Sequence, residues 1–492
     1  MKKTTIEKAL RGIDYSLPIC VDKDKTISIA LPDSQITEDS LVFFTERLTK
    51  TSVQKVTFKG SKPYAVVINS NQKIIDCPVP IIRVKSVRRA FSYSCSNIHE
   101  LDFSKLKIIG ITGTNGKTTT ATMVYNILKI AGYTVGFIGT GKICINDSVI
   151  TDNTYSMTTP DPTYLYEALG RMQNENCEYV VMEVSSHSLA LEKVSPIKFK
   201  YGIFTNLNNE HLDFHPNMDE YFKTKLSLFM QTERGLFNLD DPFSKKAYQQ
   251  VNCKKSSFGI ITQGDAYATD ISCHNIGESF FYYREPKFTF SVKTKLTGAF
   301  NVYNAICALK CVIDLGIKPC IAKKAIESID RIDGRMQFIR SDITAVIDYA
   351  HTPQAFYNLL KSLISSDIYK QNLTIVFGCG GERDKEKRAQ IAEIASKHAN
   401  KIIITEDNCR NEPFANIVSD IVRGMDFPEY KIVHDRESAI RSAILEASPG
   451  EIIAIVGKGH EKYKIERNLI IPFDEEAIIN DALKARRTYG AY

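Results

Sequence analysis

Four groups of residues have types and spacings that can do chemistry. The first is Gly113-Thr114-Asn115-Gly116-Lys117-Thr118-Thr119, behind the apolar Ile108 and Ile109 and ahead of a helical pattern. Glycines let a backbone approach its ligand closely. Successive N–H groups and the positive end of the next helix then face an anion. Lys117 is spaced to reach terminal phosphates and the Thr118 hydroxyl to hold Mg²⁺. The general P-loop spacing asks for glycine where Ile111 stands, so only a tighter form of the motif is present. Lysine followed by threonines suits a triphosphate with Mg²⁺ better than a dinucleotide.

The second group is Glu183, a carboxylate leaving the apolar run YVVME. It is either a satisfied buried acid at a helix cap or a Mg²⁺ ligand beside the phosphate loop. The third is Asn209 to His215, NEHLDFH, with two histidines and two acids in close sequence. Together they read as metal or substrate ligands. The fourth is Lys225, on a helical pattern that is otherwise mainly apolar or aromatic. A lysine there either snorkels to solvent or is used chemically.

The elements that must position these groups are strands alternating with helices. KIIGIT, TVGFIGT, EYVVMEV and YGIFTNL are near-continuous apolar runs, as in parallel strands covered on both faces. Helical patterns between them imply right-handed crossovers. The helix after the loop carries Met123, Ile127 and Ile130 on its apolar side, with Gly132 as its C-terminal stop. Ligands of such sheets lie beyond the carboxyl ends of the strands, where Lys117, Glu183 and the Asn206–His215 segment fall.

Residues 1–105 carry short apolar segments broken by turn residues and no constellation for chemistry; Asp33 and Ser34 read as a turn. Residues 106–338 form the nucleotide-type α/β domain. From 339 to 492 four further strands (TAVID, LTIVF, KIIIT and EIIAIVG) each end in a polar or glycine-rich loop, a second doubly wound unit. The fold class expected is therefore α/β in three domains: a small N-terminal one, a central parallel sheet and a Rossmann-like C-terminal one.

Composition bounds the partners. Of 492 residues, 43% are hydrophobic and 24% charged, ordinary for a globular chain, and the net charge is +6. Basic residues are not clustered, which argues against nucleic acid. No apolar run reaches a membrane span, and the N-terminus has no apolar core of a signal peptide. The twelve cysteines lack C-x-x-C spacing, so reduced thiols in the cytoplasm are expected rather than zinc or a redox pair.

TGTNGKTT, EVSSH, the HLDFH segment, GAFNVYNA, DGRM, DYAHTP, FGCGGERDKEKR, TEDNCRNEP and GKGHE follow one another in the order found in Mur ligases. The set most resembles the members that add the third residue of the peptidoglycan stem peptide. The resemblance covers about residues 105–470. It implies a UDP-binding N-terminal domain, an ATPase centre and a C-terminal domain that brings in the amino acid. It also implies amide formation through an acyl phosphate, with ATP and Mg²⁺, on UDP-N-acetylmuramoyl-L-alanyl-D-glutamate, by a cytoplasmic monomer.

Residue by residue, the resemblance gives Gly113 to Thr119 to the phosphates, with Lys117 and Thr118 central. Glu183 and His211 become metal ligands, and Lys225 a carbamoylated lysine that helps hold the second Mg²⁺. Asn301, Asn304, Arg335, Asp348 and His351 fall to the nucleoside. Thr158, Thr159, Ser185 and Lys193 fall to the acceptor. Arg383, Asp407, Asn408, Arg410, Gly457 and Glu461 fall to the incoming amino acid. Arg410 would fork onto the distal carboxylate that meso-diaminopimelate has and lysine lacks. The chain departs from the family pattern at Gln35, Leu191, Lys193, Glu210 and Cys409, and no glycine-rich stretch follows LVFF. These departures keep open a second expectation: a divergent Mur-type ligase acting on another carboxylate acceptor.

Overall fold

The fold is given by a computed structural model that describes residues 2–45, 61–72, 77–151, 158–273, 277–364, 372–426, 430–467 and 469–489. The stretch just after LVFF lies outside the described residues. Three sheets organise the chain. The N-terminal sheet runs, in spatial order, Thr4–Thr5, Thr26–Ala30, Ser40–Phe43, Ala65–Asn69, Ile81–Val84 and Tyr15–Ser16. Its inner strands are parallel and its two short edges antiparallel. Asp33 and Ser34 lie in a turn after the second of these, closed by Ser34 N–H donating to the Leu31 carbonyl at 3.0 Å.

The central sheet places the strand Lys107–Thr112 between Tyr179–Glu183 and Phe199–Phe204, all parallel. Ile108, Ile109 and Ile111 are fully buried, as double-sided cover requires. Parallel pairing continues through Val135–Gly139 on one side and Thr232–Asn238, Lys254–Gly259 and Ala266–Ser272 on the other. Both edges then turn antiparallel. The hairpin Lys142–Ile145 and Ser148–Thr151 closes one edge, and Ser279–Glu285 with Phe288–Thr294 closes the other. The sequence reading found four of these strands, Lys107–Thr112, Val135–Gly139, Tyr179–Glu183 and Phe199–Phe204.

The C-terminal sheet has the order Gln337–Arg340, Thr344–Asp348, Ile452–Val456, Leu373–Phe377, Lys401–Ile404, Tyr430–Ile432. It is parallel except at its first strand.

The three units are joined in two different ways. One apolar core runs unbroken from the N-terminal sheet (Phe43, Val67, Phe91) to one face of the central sheet (Leu165, Tyr166, Val180, Phe204). The helix Val87–Ile98 packs on Pro162–Asn174 within it. The C-terminal sheet instead has cores of its own on each face. Among the described residues, polar side chains reach across to it from the central unit: Glu210 to His351, Asp213 to Arg383, and Thr118 to Arg335. No helix of the described residues is long and apolar enough to cross a membrane.

Candidate active site

The chain leaves the strand Lys107–Thr112 through Gly113, with φ 147°, and enters the helix Lys117–Ile130 through Gly116, with φ 83°. Both glycines are required. A Cβ on Gly113 would stand 1.9 Å from Thr205 Oγ1, and one on Gly116 2.5 Å from Asn304 Oδ1. The loop is held from the neighbouring strand end. Thr114 N–H donates to the Asn206 carbonyl and Asn115 N–H to Asn206 Oδ1, each at 2.9 Å, while Thr205 Oγ1 donates to the Asn115 carbonyl at 2.7 Å. Sequence reasoning missed Thr205 and Asn206 as loop supports, although TNL at a strand end was their signal.

Two lysines meet on one carbonyl. Lys117 Nζ donates to the Gly113 and Thr114 carbonyls, and Lys225 Nζ donates to the same Gly113 carbonyl, each at 2.9 Å. Lys225 is 1% exposed, so it does not snorkel. Burial, with Lys117 as a second cause, pushes its ammonium well below the ordinary lysine range. Burial also lowers Lys117, against the pull of Glu183 and Glu210. A buried lysine that favours its neutral amine is the form that can add CO₂.

Glu183 is fully buried at its strand end. Its Oε2 accepts from Thr118 Oγ1 at 2.9 Å and Thr140 Oγ1 at 3.2 Å, and its Oε1 from Thr140 N–H at 2.9 Å. Thr140, which follows the strand Val135–Gly139, carried no sequence signal. Thr159 Oγ1 donates to the Glu183 carbonyl at 2.9 Å and accepts from Ser185 N–H at 3.0 Å, and Thr158 touches Thr140. Thr158, Thr159 and Ser185 therefore gather beside Glu183. Lys193 is 5% exposed and paired at 2.6 Å with Asp161, two residues beyond Thr159.

His211 sits in the left-handed backbone region, φ 57°, edge-on to His187 with ring centroids 4.9 Å apart. Burial, only partly offset by Glu210, pushes its imidazole down to about 3. Glu210 is itself buried. Burial would raise its carboxyl, but His351, His211 and Lys117 hold it well below the usual range. His351 Nε2 lies 2.8 Å from Glu210 Oε1, which ties the loop of one unit to the other.

No group of three or more His, Cys, Asp or Glu side chains among the described residues could hold a metal unaided. The oxygens of Glu183 and Thr118, 2.9 Å apart at the loop, nonetheless have the hard-donor chemistry of Mg²⁺. That ion commonly takes one or two protein oxygens and completes its shell with phosphate and water. The residues thus fit a metal that arrives with a phosphate ligand.

Arg335 and the two asparagines close the loop's other side. Arg335 NH2 donates to Thr118 Oγ1 at 3.2 Å, with its guanidinium 4.5 Å from the centroid of the Tyr349 ring. Asn304 accepts from Thr120 Oγ1 at 3.3 Å and donates to Asn301 at 3.2 Å. Asp348 accepts the N–H groups of Met336 and Ala350, both at 2.7 Å. Asn304 and Arg335 thus lie on the phosphate loop itself.

In the C-terminal unit, Asp407, Asn408, Gly457 and Glu461 come together at the ends of Lys401–Ile404 and Ile452–Val456. Asn408 Nδ2 donates to Glu461 Oε2 at 2.9 Å, and Gly457, with φ 122°, lets Asp407 lie against it. Arg410, with φ 53°, gives NH1 to the Gly381 carbonyl at 2.7 Å. Burial and the neighbouring Arg383 both lower its pKa, the mark of two guanidiniums sharing one region. Arg383 is exposed and points at Asp213 of the central unit, 3.8 Å away. The sequence reading missed two residues here: Tyr349, whose hydroxyl donates to Glu461 Oε1 at 3.4 Å, and Lys458 at the cluster's centre.

An α/β chain with a glycine-rich phosphate-type loop on one sheet, joined through polar contacts to a charged cluster on another, has the parts of a nucleotide-dependent ligase of the multidomain type. Residues 111–312 match the Mur ligase middle domain and residues 334–459 the Mur ligase glutamate ligase domain. The chain belongs to the Mur ligase family. It is 36% identical, over 97% of its length and 99% of the relative's, to UDP-N-acetylmuramoyl-L-alanyl-D-glutamate–2,6-diaminopimelate ligase 1 of Clostridium acetobutylicum. The ligase of Caldanaerobacter subterraneus subsp. tengcongensis with the same activity in its name is also 36% identical, over 96% of this chain and 98% of the relative. A solved structure of a UDP-N-acetylmuramoyl-L-alanyl-D-glutamate–2,6-diaminopimelate ligase superposes with TM-score 0.66 at 25% identity, covering 99% of both chains. A MurF ligase from Thermotoga maritima in complex with ADP shares the fold, with TM-score 0.61 at 16% identity over 87% of this chain and 90% of that one.

Proposed function

We infer that this chain is an ATP-dependent, amide-forming ligase that joins meso-diaminopimelate to UDP-N-acetylmuramoyl-L-alanyl-D-glutamate in peptidoglycan precursor synthesis. The likeness to the Clostridium acetobutylicum relative extends over 97% of the chain, so it includes the N-terminal domain in which the family motifs fray. That favours the standard acceptor over a different carboxylate. The observation that carries the amino-acid assignment is that Arg410 and Arg383 both flank Gly380, near the cluster of Asp407, Asn408 and Glu461. This gives cationic forks for a carboxylate next to carboxylates for an ammonium, the two charges that end a diaminopimelate side chain.

An amide does not form spontaneously from a carboxylate in water, so the acid is activated first. A carboxylate oxygen of the acceptor attacks the γ-phosphorus of ATP, ADP leaves, and an acyl phosphate forms. The neutral amine of the amino acid adds to the acyl carbon, and the tetrahedral intermediate collapses with loss of phosphate. Lys117, the loop N–H groups from Gly113 to Thr119 and Arg335 stabilise charge on the transferring phosphoryl group. Asn301, Asn304, Asp348 and His351 orient the nucleotide. Thr158, Thr159 and Ser185 orient the acceptor beside Glu183, and Lys193, locked to Asp161, shapes that wall.

Mg²⁺ held by Thr118 and Glu183, with a second ion at His211 and the Lys225 carbamate, would screen phosphate charge when bound. The carbamate itself forms when the neutral Lys225 amine adds to CO₂ and releases a proton, turning a cation into an anion beside the phosphates. We place the reaction in the cytoplasm, where ATP and the UDP-linked acceptor are available, and the active unit is one chain.

Supplying the acceptor, ATP and either meso-diaminopimelate or L-lysine, and following ADP and amide product, tests the reading. Turnover with meso-diaminopimelate and little with lysine is expected. ADP release that ignores the amino acid would overturn it.

A further inference from the structure

Lys458 is fully buried, yet it is surrounded by the groups of the amino-acid site. Its Nζ lies 3.0 Å from Asn408 Oδ1, 3.3 Å from Asp407 Oδ1 and 3.3 Å from Glu461 Oε2. An ammonium has three N–H donors, and all three are engaged. Both oxygens of Glu461 are spoken for as well: Oε2 by Asn408 and Lys458, Oε1 by the Tyr349 hydroxyl. Asn408 Oδ1 also accepts the Ile465 N–H at 2.9 Å, which anchors the cluster to the strand Tyr463–Glu466. Burial would raise the Asp407 carboxyl, but Lys458 and Arg436 hold it below the usual range. Arg436 is committed elsewhere, to Glu475 at 2.6 Å and to the Glu406 and Val456 carbonyls.

The charge count decides what the cluster can bind. Asp407 and Glu461 without a counter-ion would make a site with two negative charges in a buried setting, which repel each other and attract a divalent ion or two cations. With Lys458 between them, one negative charge remains. We propose that Lys458 is a positioning and charge-setting residue of the amino-acid site. It bridges Asp407, Asn408 and Glu461 so that the cluster accepts one ammonium of the incoming amino acid, while Arg383 and Arg410 take the adjoining carboxylate. The proposal rests on the function inferred above.

The experiment is steady-state kinetics of the full chain and of Lys458→Met, Asp407→Asn and the double variant, varying meso-diaminopimelate and ATP separately. Lys458→Met should raise KM for the amino acid about tenfold or more, the size of a lost charge-assisted contact, and leave KM for ATP unchanged. Asp407→Asn should also raise it, because the cluster then has no net charge. Adding Lys458→Met to Asp407→Asn restores the single negative charge, so the double variant should bind the amino acid better than Asp407→Asn alone. This reversal of sign separates charge setting from a merely structural role, for which the double would be the worst of the three. If Lys458→Met alone does not fold, the comparison of Asp407→Asn with the double still decides. An unchanged KM for the amino acid in Lys458→Met, or a double variant worse than Asp407→Asn, would overturn the proposal. Failure of the unmodified chain to use meso-diaminopimelate would instead overturn the functional reading itself.

Discussion

Two buried lysines in this molecule are solved in opposite ways. Lys458 in the C-terminal unit is enclosed by two carboxylates and an amide oxygen, so its charge is balanced within the fold. Lys225 in the central unit shares the Gly113 carbonyl with a second lysine, and burial and that neighbour both disfavour its charge. The contrast separates a preassembled site from one completed by what it binds. On the proposed function, the C-terminal cluster has its counter-ions in place and needs only a small zwitterion. On the same proposal, the glycine loop presents a cation that becomes favourable only when phosphate arrives, and an amine that becomes an anion on adding CO₂. The joints between units follow the same division: a shared apolar core fixes the N-terminal and central units, while polar side chains meet the C-terminal unit across the site.

The contrast can be broken at several points. The largest effect is expected from Lys117→Ala, which removes the cation proposed to meet the transferring phosphoryl group. ATP use should fall by roughly three orders of magnitude or more, the range for losing a main electrostatic stabiliser of phosphoryl transfer. ADP release at near-normal rate would remove Lys117 from that role.

Next comes Lys225→Ala, expected to lose on the order of a hundredfold in kcat, comparable to loss of one transition-state donor. Added acetate or formate should return part of it. The depressed pKa sets a sign as well. The neutral, CO₂-reactive amine persists well below the ordinary lysine value of 10.5, so bicarbonate should restore activity to CO₂-depleted enzyme at neutral pH. A variant as active as the unmodified chain would end the carbamate assignment.

Arg410→Lys keeps a charge but loses the planar fork. The preference for meso-diaminopimelate over L-lysine should narrow by about ten- to a hundredfold, with ATP kinetics unchanged. An unaltered preference would move the distal carboxylate elsewhere.

The smallest effect concerns the joint between the units. The Glu210 carboxyl is depressed in the fold, so its contribution to stability is present above its ordinary value of 4.5 and is lost as pH falls toward its folded value. Glu210→Gln should therefore lower Tm by a few degrees at neutral pH, of the order that ~1–2 kcal/mol gives in a domain this size. The gap should close below about pH 4.5. An equal gap at all pH values would mean that the pair with His351 contributes no charge interaction.

Local chemistry was legible in the sequence, and chemistry assembled at a distance was not. The phosphate loop is written in consecutive residues, so Gly113, Gly116, Lys117 and Thr118 could be read directly. Glu183 and Lys225 stood out because each is a charge inside an apolar pattern. Thr140, Thr205 and Tyr349 are ordinary residues made important by strand order, which no local window contains. Lys458 was visible in GKGHE, but glycines and a histidine around a lysine suggest a turn. Its role comes from Asp407 and Asn408, some fifty positions upstream. One antiparallel edge of the central sheet escaped notice because Ser279–Glu285 and Phe288–Thr294 interleave polar, partly exposed positions with buried ones. Those strands lack the apolar continuity that marked the parallel heart.

The central claim is that one chain couples an ATP-activated acceptor to an amino acid selected by its distal carboxylate and ammonium. The most direct measurement uses acceptor labelled with ¹⁸O in the D-glutamate carboxylates, with ATP and meso-diaminopimelate. The account predicts amide product, ADP, and phosphate carrying one ¹⁸O, all dependent on the amino acid. Phosphate without label, or ADP release indifferent to meso-diaminopimelate, would contradict it.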